Sequence, residues 1–124
     1  MPAKRGRTNY RIGYVFECKV RNLYRASGWF VQRSAGSKTV VDLTAIPPEG
    51  GCGGVHLIQC KLTGKLSAKE WNELVSLAWR VGMDMATPVL AAEVKGVRRR
   101  AELVLFHLVG KASDSTRPMV QFEL

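Results

Sequence analysis

The chain predicts an α/β fold, a mixed central sheet flanked by helices, in the order α-β-β-β-α-β-β. Three observations carry that prediction. Apolar residues recur at helical spacing in two segments, 10–27 and 67–82. Five other stretches are rich in β-branched and aromatic residues and are bounded by glycine, proline or polar turns. The second helix falls between strands, so it can cross over one sheet face while the first covers the other. At 124 residues, 46% of them hydrophobic, the chain is long enough for one packed core. Residues 10–124 form that single domain, and residues 1–9, short and basic, read as a flexible arm.

The elements follow in turn. Ile12, Phe16, Val20 and Leu23 make the first helical stripe, widened by Val15 and Cys18, and Gly28 supplies its left-handed end. Residues 29–34 alternate as a strand, with Trp29, Val31 and Arg33 on one face. A tight connection at 35–38 leads to 39–46, the most β-prone segment of the chain. Two prolines and four glycines make 47–54 a loop, and 55–62 form the third strand. Ser67 and Glu70 have the spacing of a capping box. Behind them Trp71, Leu74, Val75, Ala78 and Val81 form a stripe that Gly82 closes. Residues 88–94 and 102–109 are two further strands around the basic turn Lys95 to Arg100. A short strand is possible by pattern at Met119-Val120-Gln121-Phe122.

Composition narrows the function classes. Nineteen Lys and Arg against ten Asp and Glu leave a net charge of +9. Such a balance favours phosphate polymers through counterion release. No apolar run approaches the roughly 20 residues that span a bilayer, and the N-terminus lacks a signal-peptide core. A membrane partner is therefore not expected, and the expected compartment is the cytoplasm, that of the host for a viral source. Cys18, Cys52 and Cys60 are an odd count, which argues against a disulfide framework. Cys52, His56 and Cys60 recur every four residues, but zinc sites want four ligands and close cysteine pairs. Two packed strand residues and a loop thiol are the better account.

Strand parity selects the chemistry. On the third strand Leu57, Gln59 and Lys61 share one face, and on the second Val40, Asp42 and Thr44 share one. If pairing sets Asp42 beside Gln59, a carboxylate, an amide oxygen and an ammonium converge at one edge of the sheet. Burying these groups without a use would be costly. The competing structural reading is an Asp42–Lys61 ion pair at a solvated strand end. The convergence can instead hold a divalent cation against a phosphate beside an attacking water.

The motifs extend beyond that triplet. The first helix contains Tyr10-Arg11-Ile12-Gly13-Tyr14-Val15-Phe16-Glu17, the first strand runs into Arg33-Ser34-Ala35-Gly36-Ser37-Lys38, and Val41-Asp42 follows. This pattern resembles the archaeal-type Holliday junction resolvases, cellular or viral, within the PD-(D/E)xK nuclease superfamily. The likeness covers roughly residues 10–61, with compatible elements beyond. It implies a restriction-endonuclease-like fold for a single nuclease domain. It also implies a crossover junction endodeoxyribonuclease that cuts four-way DNA junctions in pairs as a C2 homodimer.

The resemblance further implies the roles of individual residues. Asp42 would be the principal ligand of Mg²⁺, with Mn²⁺ able to substitute, and Gln59 and the Cys60 carbonyl would complete the protein side. Glu17 would reach the same site directly or through water. Lys61 would orient the nucleophilic water, and Ser37 belongs to the catalytic set. Arg11, Arg33, Ser34 and Lys38 would grip the DNA backbone. Gln59 stands where the family usually has an acid, which lowers the charge of the site. A nuclease acting on duplex DNA and a non-catalytic junction-binding module are the two alternatives. Phe106, Met119 and Phe122 are candidate interface residues, Arg98-Arg99-Arg100 a candidate DNA contact, and Trp71 and Trp79 core or subunit-contact residues.

Overall fold

The computed structural model describes residues 2–34, 39–51, 53–95 and 100–124, with side chains from residue 10 onward. The elements are α1 (Pro2–Ala26), β1 (Phe30–Arg33), β2 (Leu43–Ile46), β3 (Val55–Cys60), α2 (Ala68–Val81), β4 (Ala86–Lys95), β5 (Ala101–Leu108) and β6 (Met119–Phe122). The expected order holds, with β6 added at its end. One six-stranded sheet runs in the order β1-β2-β3-β4-β5-β6. β3 and β4 are parallel and every other neighbouring pair is antiparallel. Two parallel neighbours need a long crossover, and α2 is that crossover. Among the described residues no helix is long and apolar enough to cross a membrane.

α1 covers one face of the sheet. Its buried residues are Phe16, Val20 and Tyr24, packed with Val31, Leu43, Ala45, Ile58, Val89, Ala91 and Leu105. The stripe is therefore a strict four-residue spacing rather than the wider one the sequence suggests: Ile12, Val15 and Leu23 stay substantially exposed. The helix also begins at Pro2, so its backbone continues through the segment read from sequence as a mobile arm. It ends where Gly28 adopts a φ of 88°, the left-handed geometry that glycine takes without strain.

α2 covers the opposite face with Trp71, Leu74 and Val75 against Val41, Leu66, Leu90 and Leu108. The Ser67 cap forms as predicted, Glu70 N donating to Ser67 Oγ at 3.1 Å, while the Glu70 carboxylate reaches back to the Ser67 hydroxyl, which donates to its Oε1 at 3.1 Å, and not to the Ser67 backbone amide of a full capping box. Trp71 is fully buried and its Nε1 donates to Gly110 O at 2.8 Å. Asn72 clasps Ala112 through both its amide atoms, at 2.7 and 3.2 Å. Trp79 differs from Trp71: it is exposed, with the Lys111 ammonium 5.8 Å from its ring centroid. Phe106 packs under α2 and Phe122 under α1, whereas Met119 is exposed.

β4 is buried on both faces for most of its length, as the centre of a two-layered core requires. The glycine-rich loop closes tightly onto its start. Gly54 has a φ of 71° and lies against the Met85 carbonyl, leaving no room for a side chain. Cys52 and the basic residues Arg98 and Arg99 lie outside the described residues; Arg100 is exposed.

Candidate functional site

β2 is shorter than its sequence suggests, because the chain bends at Asp42 instead of continuing as a strand. The Asp42 amide donates to Ile58 O at 2.8 Å, while its carbonyl accepts from Ser34 N at 2.9 Å. The bend stacks the end of β1, the start of β2 and the end of β3 within a few ångströms. The β2–β3 pairing ends at Leu43 opposite Ile58, and the bend places Asp42 against Ile58 as well, so Asp42 and Gln59 meet as linings of one cleft and not as a paired position of the ladder.

Asp42 is half-buried, and its Oδ2 accepts from the Cys60 amide at 2.8 Å. Burial pushes its carboxyl up to about 6. The Cys60 hydrogen bond opposes that rise, the nearby Glu17 carboxylate adds to it, and Lys61 and Arg33 oppose it. In a strand the N–H and C=O of one residue leave on the same flank. The Cys60 carbonyl is thus directed to the Asp42 flank, while Lys61 N on the next residue bonds the other way, to Ala91 O at 2.9 Å. The Cys60 thiol itself is driven strongly toward its protonated form, first by burial and then by Asp42 and Glu17. Its side chain packs beside the core, and His56 sits among aromatic rings, so neither supports the zinc reading.

α1 supplies the wall opposite. Glu17 is one residue past Phe16, the first buried residue of the stripe, so it points over the sheet edge. Its Oε2 accepts from Arg33 Nε at 3.1 Å, and the Arg33 guanidinium lies 4.9 Å from the Tyr14 ring centroid. A cleft of about 290 Å³ is enclosed by Tyr10, Gly13, Tyr14, Phe16, Glu17, Arg33, Asp42, Gln59, Cys60 and Leu62. Glu17, Arg33, Asp42, Gln59 and Cys60, proposed from sequence, therefore share one cavity. Arg11 does not: it lines the neighbouring groove with Val15, Lys19 and Glu93, beyond the shared residues Phe16 and Leu62. Ser34 adjoins Asp42 through its backbone, and Ser37 and Lys38 lie outside the described residues.

Gln59 is only 7% exposed, and its Oε1 is fully buried without a hydrogen-bond partner among the described residues. A buried amide oxygen in that condition costs about 1–3 kcal/mol, so its retention asks for a partner. A half-turn of the amide exchanges oxygen and nitrogen with little change in shape, so the oxygen can serve either side of the group. Two carboxylates, one amide oxygen and one backbone carbonyl form an all-oxygen set, the kind a hard divalent cation takes. Among the described residues no group of three or more His, Cys, Asp or Glu side chains gathers to hold a metal.

Lys61 lies near enough to Asp42 to oppose the rise of its carboxyl but makes its ion pair elsewhere. Its Nζ lies 3.6 Å from Glu70 Oε2 and not against Asp42, so the Asp42–Lys61 ion pair does not form. Tyr14 and Glu70 are site neighbours that sequence reasoning missed. Tyr14 belongs to the quoted helix motif, and Glu70 was visible only as a cap.

Comparison with known proteins agrees with the architecture. No protein-family model and no curated protein matches the chain. Among solved structures, the chain is similar to the 1.6 Å structure of Archaeoglobus fulgidus Hjc, a Holliday junction resolvase from an archaeal hyperthermophile. The two are 22% identical, with 90% of this chain and 91% of that one covered and a TM-score of 0.59. At that identity the likeness establishes the fold.

Proposed function

We propose that the chain is a metal-dependent endodeoxyribonuclease that resolves four-way DNA junctions by paired phosphodiester hydrolysis as a C2 homodimer. The observation that carries the reading is the meeting of Asp42, Glu17 and the unpartnered Gln59 amide in one cleft at the end of β3. The matching fold of Hjc and the net charge of +9 support a DNA substrate.

Asp42, Gln59, the Cys60 carbonyl and Glu17 would hold Mg²⁺, with Mn²⁺ as substitute. Bound there, the ion would polarise a phosphoryl oxygen and activate a water. The Cys60 amide orients the Asp42 carboxylate. Glu17 is held by Arg33 in the free protein, so Arg33 must exchange that carboxylate for a DNA phosphate when substrate arrives. Arg11, Ser34 and Lys38 would grip the flanking backbone, with Ser37 beside them in the catalytic set. Lys61 would orient the attacking water and offset developing charge.

The test is incubation with Mg²⁺ and, separately, a four-way junction and a linear duplex of the same sequence. Symmetric paired nicks confined to the junction are expected. Cleavage of the linear duplex would instead identify a restriction-like nuclease, and tight junction binding without product a non-catalytic binding module.

A further inference from the structure

The short turn after β3 does more than connect it to α2. Lys61 is pinned at both backbone ends, its N donating to Ala91 O at 2.9 Å and its O accepting from Gly64 N at 2.8 Å. Gly64 takes a φ of 73° there, and the chain reaches the Ser67 cap three residues later. This geometry brings the N-terminus of α2 alongside the Lys61 stem. Glu70 then divides its carboxylate: Oε1 takes the Ser67 hydroxyl at 3.1 Å, and Oε2 takes the Lys61 ammonium at 3.6 Å. Glu70 stands in the first turn of α2, whose backbone holds it, so the ammonium is tied to a helix end instead of ranging over its four-carbon stem.

We propose that Glu70 is a positioning residue for Lys61, acting through the second oxygen of a capping carboxylate. The inference rests on the reading of Lys61 as part of the cleavage site. The ion pair is exposed on both sides, at 36% and 39% of the side chains, so it adds little to stability. Its consequence is geometric, and misplacing a group by an ångström can slow a reaction by about two orders of magnitude.

The two duties of Glu70 separate by mutation. Glu70→Gln keeps the reach to Ser67, since glutamine also serves a capping box, but removes the charge that holds Lys61. Ser67→Ala breaks the cap and leaves the carboxylate. Glu70→Gln is expected to lower kcat on the preferred DNA about tenfold, with KM and Tm nearly unchanged. Ser67→Ala is expected to lower Tm by roughly 4 °C, with kcat within about twofold when assayed well below Tm. Independently of cleavage, ¹⁵N relaxation of the Lys61 ammonium should show greater mobility in Glu70→Gln than in wild type. An unchanged or higher kcat in Glu70→Gln, or an unchanged Lys61 ammonium, overturns the proposal. Absence of cleavage by the wild type overturns the nuclease reading instead, and the relaxation measurement then still decides whether Glu70 orders Lys61.

Discussion

The two ends of β3 treat buried polar groups in opposite ways. Near its start, His56 lies between the rings of Tyr24, Trp29 and Phe122, with centroids 4.5–5.7 Å away. Its Nδ1 and the Tyr24 hydroxyl share a 2.9 Å hydrogen bond. Burial keeps the ring neutral, lowering its pKa to about 4, with His107 adding to the effect. Near its end, Gln59 has an orphaned oxygen, Asp42 is a carboxyl pushed up to about 6, and Lys61 turns away to Glu70. One strand thus carries a satisfied polar group near its start and an unsatisfied oxygen, Gln59 Oε1, near its end. Polar burial without partners is what distinguishes a site from a core.

The largest expected effect falls on the unsatisfied end. Asp42→Asn should abolish cleavage while leaving junction binding largely intact, because the carboxamide keeps an acceptor for Cys60 N but lacks charge. Lys61→Ala should do the same. The folded-state pKa of Asp42 lies above its unfolded value, so stability falls as pH rises from 3.8 to about 6 and the ionised group opposes folding in full above that. Asp42→Asn should accordingly raise Tm at pH 7.5. Retained cleavage by Asp42→Asn, seen on gels of nicked junction, would sink the proposed metal site.

At the satisfied end the effects are on stability. The folded His56 pKa of about 4 lies below the ordinary 6.5, so between those values the unfolded chain binds the extra proton. Stability is complete above about pH 6.5 and declines as pH falls toward 4, by about 3 kcal/mol from this residue. Urea titrations across that range should show the decline, and His56→Phe should flatten it. Tyr24→Phe, which leaves His56 Nδ1 without its partner, should cost about 1–2 kcal/mol by urea midpoint.

The smallest and most discriminating effects belong to Gln59. Gln59→Leu removes an unsatisfied amide oxygen on a side chain of similar size, so stability should change by less than about 1 kcal/mol and in the favourable direction. A loss as large as that of Tyr24→Phe would mean that the amide is paired after all. Gln59→Glu should lower the Mg²⁺ concentration needed for half-maximal cleavage, if the side chain is a ligand. An unchanged requirement would place Gln59 outside the metal's coordination.

Much of this was legible in the chain because it depends on neighbours along it. Period-two alternation placed Ile58 and Cys60 against one helix and Leu57 against the other, and the Ser67–Glu70 spacing foretold the Ser67 cap. Parity brought Asp42 and Gln59 to one sheet edge, but the bend at Asp42, not strand pairing, sets them in one cleft. Other features escaped for a common reason. Ile12, Val15 and Leu23 have the right spacing for burial, but the sheet below α1 offers contact only to Phe16, Val20 and Tyr24. Arg33 alternates with core residues, yet its pairing with Glu17 depends on where a helix crosses a strand.

The sequence by itself determined which elements form, which faces they bury, and which oxygen-bearing and cationic side chains can share one sheet edge. These are consequences of backbone periodicity and local capping, which act over a few residues. Tertiary structure alone decided the bend that points Asp42 at the Cys60 amide, the Arg33 guanidinium over Glu17, and the choice of Glu70 over Asp42 as partner of Lys61. Those outcomes turn on ångström distances between segments remote in the chain, where burial and competing charges select one partner among several of equal chemical merit.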